Sequence, residues 1–397
     1  MGEWKKVKLG DCLKEVVEKT TENNQYEVLT SSKDGIFSQE EYFDKQVASK
    51  NNVGYKIIKK GQFTYRSMSD SGRFTINKLD NKDIGIVSPA YPVFEAEKVN
   101  PDYLKYFFDS EMFRRAIHNL SQGSTRTALK FKDLIEIEML IPPIEEQEKI
   151  LKILNNVDNT IEYLEQLIEN IEIEKKGIID KQLNTKDYLK KTFNQLIEEN
   201  VIEDIMDGNH GELHPKTTDY VSNGIPFIMA NNVHDGELDL TNCSFLKKDQ
   251  ADKLRKGFAK EGDVLLTHKG TIGNVAFVPD SIDTEYIMLT PQVTYYRIKK
   301  NNDILTKEYL YYFLQSSEFQ NKLKLLSMQS TRAYIGITEQ KKLKIKIPSL
   351  TIQTKICNIL QSMDKKNKLL KSKKKNYIKL KKALMQQLLT GNIKVKI

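Results

Sequence analysis

Cysteine is scarce and never paired: Cys12, Cys243 and Cys357 lie far apart in a chain of 397 residues. That spacing provides neither a zinc site nor a disulfide framework and fits a reducing cytoplasm. No run of about 18 apolar residues is present to span a bilayer, and no leader-like segment opens the chain. A cytoplasmic protein with no membrane contact is expected. Charged residues make up 29% of the chain and the formal net charge is +8, which favours a polyanionic partner only weakly because the basic residues are unevenly spread.

Motifs that would carry chemistry are equally lacking. The stretch "THKGTIGN" at 267–274 has glycines but not the G-x-x-x-x-G-K-[ST] spacing of a nucleotide-binding loop. In "HGELHP" at 210–215 His210, Glu212 and His214 stand close together, yet metalloproteases need histidines four apart on a helix, and Gly211 and Pro215 argue for a loop. "NPDYLKYFF" at 100–108 approaches the N-P-P-Y motif of adenine methyltransferases, but Asp102 replaces the second proline. No glycine-rich cofactor motif precedes it. The chain is expected to be non-catalytic, with no metal or cofactor of its own.

What the chain does contain is itself, twice. "SQGSTR" at 121–126 returns as "SMQSTR" at 327–332, 206 residues later, and the flanks keep that offset. "YLKYFFDSEMF" (103–113) pairs with "YLYYFLQSSEF" (309–319) without a gap, and "IPPIEEQEKILKILNNVD" (141–158) with "IPSLTIQTKICNILQSMD" (347–364). Such agreement marks an internal duplication.

Between Glu145 and Leu183 there is no proline. Apolar residues at Ile150, Leu154, Val157, Ile161, Leu164, Ile168, Ile171 and Ile178 alternate steps of four and three, a heptad seam. Pro142 and Pro143 set the helix start, with Glu145 and Glu146 in its first turn. The shifted copy gives Ile356, Leu360, Met363, Leu370, Tyr377, Leu384 and Leu388, ending near Thr390-Gly391. The first helix is rich in glutamate and the second in lysine, so the two are expected to pair as an intramolecular coiled-coil spacer. The rival reading makes the lysine helix a nucleic-acid arm.

A mixed segment with strand-like stretches precedes each helix: "YEVLTSS", "YKIIKKGQFTYR" and "IGIVSPAYPVFEA" in the first, "IPFIMANNV", "KEGDVLLTHKG", "VAFVPD" and "QVTYYRIKK" in the second. Lys60-Gly61-Gln62-Phe63 matches Glu261-Gly262-Asp263-Val264, and Ser88-Pro89 matches Thr290-Pro291, whereas the intervening loops diverge. The expected fold is α+β: two similar mixed α/β domains (1–143 and 191–347), each followed by a long coiled-coil helix (144–190 and 348–397), as an internal repeat.

"WKKVKLGDCL", "YKIIKKGQFTYR", "GIVSPAYPVF", "IPPIEEQEKI" and "GFAKEGDVLLTHKGTIGNVAFV", in this order and in tandem, resemble the DNA-specificity subunit of type I restriction-modification systems. The resemblance covers essentially the whole chain. It implies two target-recognition domains, each reading one half of a bipartite asymmetric double-stranded DNA site, joined and held apart by two long antiparallel coiled-coil helices in an internal pseudo-twofold repeat, the helices docking modification (methyltransferase) subunits, two of them. It further implies restriction (helicase-nuclease) subunits, with S-adenosylmethionine, ATP and Mg used by those partners. A stand-alone DNA-binding regulator and a coiled-coil protein scaffold are the alternatives.

For the recurring hexapeptide two roles are expected, and they are compatible. Ser124 and Ser330 fix a turn by bonding nearby backbone, and Arg126 and Arg332 reach phosphate, a sequence-independent contact that can stay identical in domains reading different bases. Base reading is expected in the divergent loops: Ser31, Ser32, Lys33, Arg66, Ser67 and Arg73 in the first domain, Asn231, Asn232, His234, His268, Lys269 and Thr271 in the second. Arginine and lysine favour guanine and asparagine favours adenine. Phe107 and Phe113, at helical spacing, read as core.

Overall fold

The computed structural model describes residues 3–42, 51–69, 72–120, 127–183, 188–211, 214–328 and 334–395. The chain forms two compact units, Met1–Gln166 with Lys371–Ile397, and Leu167–Leu370. Each is built on the same frame.

In the first unit Leu13–Glu15, Val93–Ala96, Phe63–Thr64 and Asn77–Lys78 form a four-stranded antiparallel sheet in that order. In the second, Ile202–Asp207, Val293–Ile298, Val264–Lys269 and Thr271–Phe277 repeat the order. The turn leading into the third strand across each sheet explains one shared motif. Gly61 and Gly262 adopt φ of 84° and 80°, a region glycine enters without steric cost. Their amides donate to the Leu79 and Val278 carbonyls.

Each sheet packs against a pair of short helices. Asn100 caps Pro101–Asp109 by accepting from the Asp102 amide, and Thr306 caps Lys307–Leu314 by accepting from Tyr309. Their aromatic faces are core: Phe107 and Phe113 are buried in one unit, Phe313 and Phe319 in the other. "NPDYLKYFF" is therefore an aromatic helix whose proline sits at its first turn. The second unit adds a five-stranded sheet, in the order Tyr220–Val221, Ser244–Leu246, Ile225–Ile228, Ile287–Leu289 and Phe258–Ala259. In the first unit that part of the chain forms two-stranded ladders, among them Leu29–Ser32 with Gly35–Ser38 and Lys56–Lys59 with Ile84–Val87.

A proline-led turn then opens a long helix in each copy, Ile144–Leu183 and Leu350–Leu388, each close to 60 Å at 1.5 Å per residue. Gln147 is buried at the first start, accepting from the Asn100 amide at 2.9 Å and donating to the Pro142 carbonyl at 2.9 Å. Gln353 does the same with Thr306 and Pro348, at 2.9 and 2.9 Å. The second opening, "IPSLTIQTKI", keeps this glutamine although it lacks the acids of the first. The expected seam is buried in part: Ile150, Leu154, Val157, Leu164 and Ile171 are buried, as are Ile356, Leu360 and Leu388, while Ile161, Ile168, Met363, Leu370, Tyr377 and Leu384 are half-buried. At its far end Ile179 is buried and Ile178 only half-buried, a drift that follows because 3.6 residues per turn does not match a strict seven-residue repeat.

Opposite charge does pair the helices, and within each unit the pairing is antiparallel. In the first unit Asp158 meets Lys381 at 2.7 Å and Glu165 meets Lys374 at 2.8 Å, so advancing along one helix retreats along the other. In the second unit Glu172 accepts from Asn367, and Lys175 meets Asp364 at 2.6 Å. Tyr106 donates to Asp158 at 2.7 Å while Lys381 lies over its ring at 5.3 Å. Tyr312 donates to Asp364 at 2.7 Å with Lys175 over its ring at 5.4 Å. Residue for residue this Tyr–Asp–Lys arrangement is the same device in both copies, and it ties an aromatic helix to the long pair. The carboxylate and burial both push the tyrosine pKa upward, burial the more strongly.

Trp4 and Val395 both belong to the first unit. Trp4 Nε1 donates to Glu146 at 3.0 Å and the Val395 amide to the same carboxylate at 3.3 Å. Gly391, at φ 71°, turns the chain beneath the Trp4 ring.

Candidate nucleic-acid interface

In each unit the chain at the tip of the sheet's third strand carries equivalent residues. In the first, the chain leaving Phe63–Thr64 continues to Met68–Ser69, which pairs antiparallel with Thr127–Ala128, the residues directly after "SQGSTR". The Leu129 amide donates to the Ser67 carbonyl at 2.9 Å. In the second, the end of Val264–Lys269 bridges Lys269 to Tyr334, and the Ile335 amide donates to the His268 carbonyl at 3.1 Å. The same backbone ladder thus joins the strand end to the segment following the recurring hexapeptide in each copy. The hexapeptides themselves fall at 121–126 and 327–332, and all of their residues, with Ser124, Arg126, Ser330 and Arg332, lie outside the described residues except Ser327 and Met328 at the start of the second.

Sequence reasoning selects Arg66, Ser67, His268 and Lys269, and the ladder brings these four to equivalent ends. Arg66 and Lys269 are exposed. Ser67 donates to the Ala90 carbonyl at 2.9 Å. His268 is fully buried, its Nδ1 2.9 Å from the Ile335 carbonyl, which requires the proton on Nδ1. Burial pushes its pKa down to about 4, outweighing the opposing hydrogen bond, so the ring is neutral at physiological pH. As placed, His268 clamps the segment after the hexapeptide and offers no atom to a base edge.

Two further candidates are likewise engaged inside. Ser31, 5% exposed, accepts from buried Asn77 at 2.8 Å. Asn232, 3% exposed, accepts from the Met229 amide and donates to the Asn242 carbonyl. Their residue type suggests that they face a ligand, but each satisfies backbone or side-chain groups that burial would otherwise leave orphaned. Ser32 is half-buried and closes its own hairpin, accepting from the Asp34 amide at 3.0 Å. Lys33, Arg73, Asn231, His234 and Thr271 are exposed, with His234 beside Asp235 at 3.4 Å.

The "HGELHP" loop is organised by a buried carboxylate. Asp207, 1% exposed, holds His210 at 2.8 Å and also pairs with Lys256. Buried Asn209 bridges the Arg255 amide and the Lys256 carbonyl. Glu212 lies outside the described residues, and among those described no group of three or more His, Cys, Asp or Glu is arranged to hold a metal. Burial lowers the His214 pKa. Sequence reasoning misses Tyr334, over whose ring Lys269 lies at 6.0 Å, and exposed Met68 opposite Ala128. Their position beside the repeated hexapeptide is the available signal.

The family model for the type I restriction modification DNA specificity domain matches residues 1–173 and again 195–380. The chain is 26% identical over 324 residues to the type I restriction enzyme MjaVIII specificity subunit of Methanocaldococcus jannaschii, covering 79% of this chain and 75% of that one. It is 23% identical over 294 residues to the EcoBI specificity subunit of Escherichia coli, covering 68% and 61%. Among solved structures it is similar in fold to a chain from work on complex assembly and conformational transition of the type I R-M system, with TM-score 0.62, 15% identity and 98% of both chains covered. A type I restriction-modification S subunit from M. genitalium matches with TM-score 0.54 and 14% identity, covering 98% and 96%. No described helix is long and apolar enough to cross a membrane.

Proposed function

Since the chain belongs to the type I restriction modification DNA specificity family, we propose that each of its two recognition domains reads one half of a bipartite asymmetric DNA site and that the chain performs no chemistry alone. The observation carrying this reading is the repeated tip: one backbone ladder, present twice, with different side chains on it. Two such tips in one chain imitate the half-site logic of a dimer while permitting unlike half-sites. Arg126 and Arg332, constant between copies, are assigned to phosphate, and the exposed Lys33, Arg66, Arg73, Asn231, His234, Lys269 and Thr271 to the grooves.

The partners are double-stranded DNA, two modification subunits docked on the long helices, and restriction subunits. S-adenosylmethionine, ATP and Mg belong to those partners, and the complex works in the cytoplasm. Purified alone, the chain is expected to show no methylation, cleavage or nucleotide hydrolysis. With modification subunits it should direct adenine methylation dependent on S-adenosylmethionine. Tight S-adenosylmethionine binding by the isolated chain would overturn the non-catalytic assignment. Sequence-specific DNA binding that persists unchanged without any partner, with no methylation on adding them, would favour a stand-alone regulator.

A further inference from the structure

The ladder that closes each recognition tip keeps its backbone and exchanges its side chains. Ala128 stands opposite Met68 in the first domain, and Tyr334 stands opposite Lys269 in the second. Met68 is 52% exposed and Ala128 is exposed, so the first tip presents an apolar pair to solvent. At the second tip an exposed lysine lies over a half-buried tyrosine ring. Each pair is mounted on a residue fixed beneath it: Ser67 bonded to the Ala90 carbonyl, His268 bonded to the Ile335 carbonyl. A pair whose backbone is hydrogen-bonded across strands is positioned more closely than a free loop side chain.

We propose that these opposed pairs are specificity-determining contacts: Met68 with Ala128 takes a thymine methyl of an A·T pair in the first half-site, and Lys269, steadied by Tyr334, takes a guanine edge in the second. The chemistry follows from what each pair can offer. A thioether and a methyl have no strong hydrogen-bond donor, and the thymine C5-methyl is the apolar feature of the major groove. The lysine ammonium donates to the guanine O6 and N7 acceptors, and attraction to the aromatic face beneath it steadies its orientation. The inference rests on the reading that each domain meets DNA, and goes beyond it by naming positions and bases.

The test uses the complete chain assembled with its modification subunits. The methylated site is first determined. Competition binding then employs a set of duplexes in which every base pair of both half-sites is replaced in turn. In Lys269→Met with Tyr334→Ala, discrimination at one or two adjacent G·C positions of the second half-site should collapse from on the order of tenfold or more to a few-fold at most. All other positions should keep their wild-type ratios. Met68→Lys with Ala128→Tyr should move one A·T position of the first half-site toward G·C, and Lys269→Arg with Tyr334→Phe should retain the guanine preference.

An unchanged discrimination profile would overturn the proposal. So would a uniform loss across all duplexes, including complete loss of binding, because that marks a phosphate or folding role. A second half-site with no G·C pair would also contradict it. If the wild-type complex itself discriminates no sequence, both this inference and the reading beneath it fail, whereas discrimination that survives the double substitution removes this inference alone.

Discussion

Where the first recognition domain carries small two-stranded ladders, the second carries a five-stranded sheet and four of the five histidines in the chain. Yet the elements that meet the long helices barely differ. Gln147 and Gln353, Tyr106 and Tyr312, and Ser110 and Ser316 make matching hydrogen bonds. The contrast teaches which surfaces duplication left constrained. A frame held by buried, satisfied polar groups tolerates little change, because losing one partner leaves the other orphaned, while exposed loops are free to diverge.

The largest effects should come from the shared frame. Phe113 and Phe319 are equivalent and fully buried, so Phe113→Ala and Phe319→Ala should each cost about 3–5 kcal/mol of their own unit's stability. Hydrogen exchange resolved by unit measures this, and a loss confined to one of the two would break the equivalence.

A smaller effect should separate the domains instead. Folding holds the His268 pKa at about 4 against an ordinary 6.5, so the unfolded chain binds more protons between those values. The stabilisation is present in full above pH 6.5 and disappears as pH falls toward 4, on the order of 3 kcal/mol. Ser67 occupies the equivalent place in the first domain and does not titrate there. Opening of the second unit should become easier on acidification in this window, and His268→Gln should flatten its pH dependence. A wild-type second unit equally stable at pH 4.5 and 7 would contradict the burial of a neutral ring.

The junction devices should differ least. Lys175 is 10% exposed and Lys381 29%, so Asp364→Asn strands a better buried ammonium than Asp158→Asn. The first should cost roughly 2 kcal/mol and the second about 1. The reverse order in thermal or urea unfolding would show that burial does not govern these pairs.

Much of this comparison is legible in the amino-acid sequence. The constant offset, the proline-led helix starts and the alternating strands follow local rules, and the aromatic helices repeat without a gap. What stays hidden depends on partners distant along the chain. His268, Ser31 and Asn232 look like loop residues free to bind, but the Ile335 carbonyl lies 67 residues from His268 and Asn77 lies 46 from Ser31. Residue type alone does not reveal that a side chain is already engaged inside, Ser31 and Asn232 through their hydrogen bonds and His268 through Nδ1, its buried Nε2 having no partner among the described residues. The parallel pairing of Phe227 with Met288, and with it the five-stranded sheet, is equally non-local. Tyr334 escapes notice because a tyrosine next to a polar turn carries no signal until Lys269 is found opposite it.

The central claim is that two independent readers occupy one chain, and methylome sequencing of a hybrid tests it most directly. Residues 1–143 would be exchanged for those of a relative with a different first half-site, leaving the long helices and the second domain intact. The account predicts methylated sites with a new first half-site, the original second half-site and the original spacing. A change in both half-sites, from an active hybrid, would contradict it.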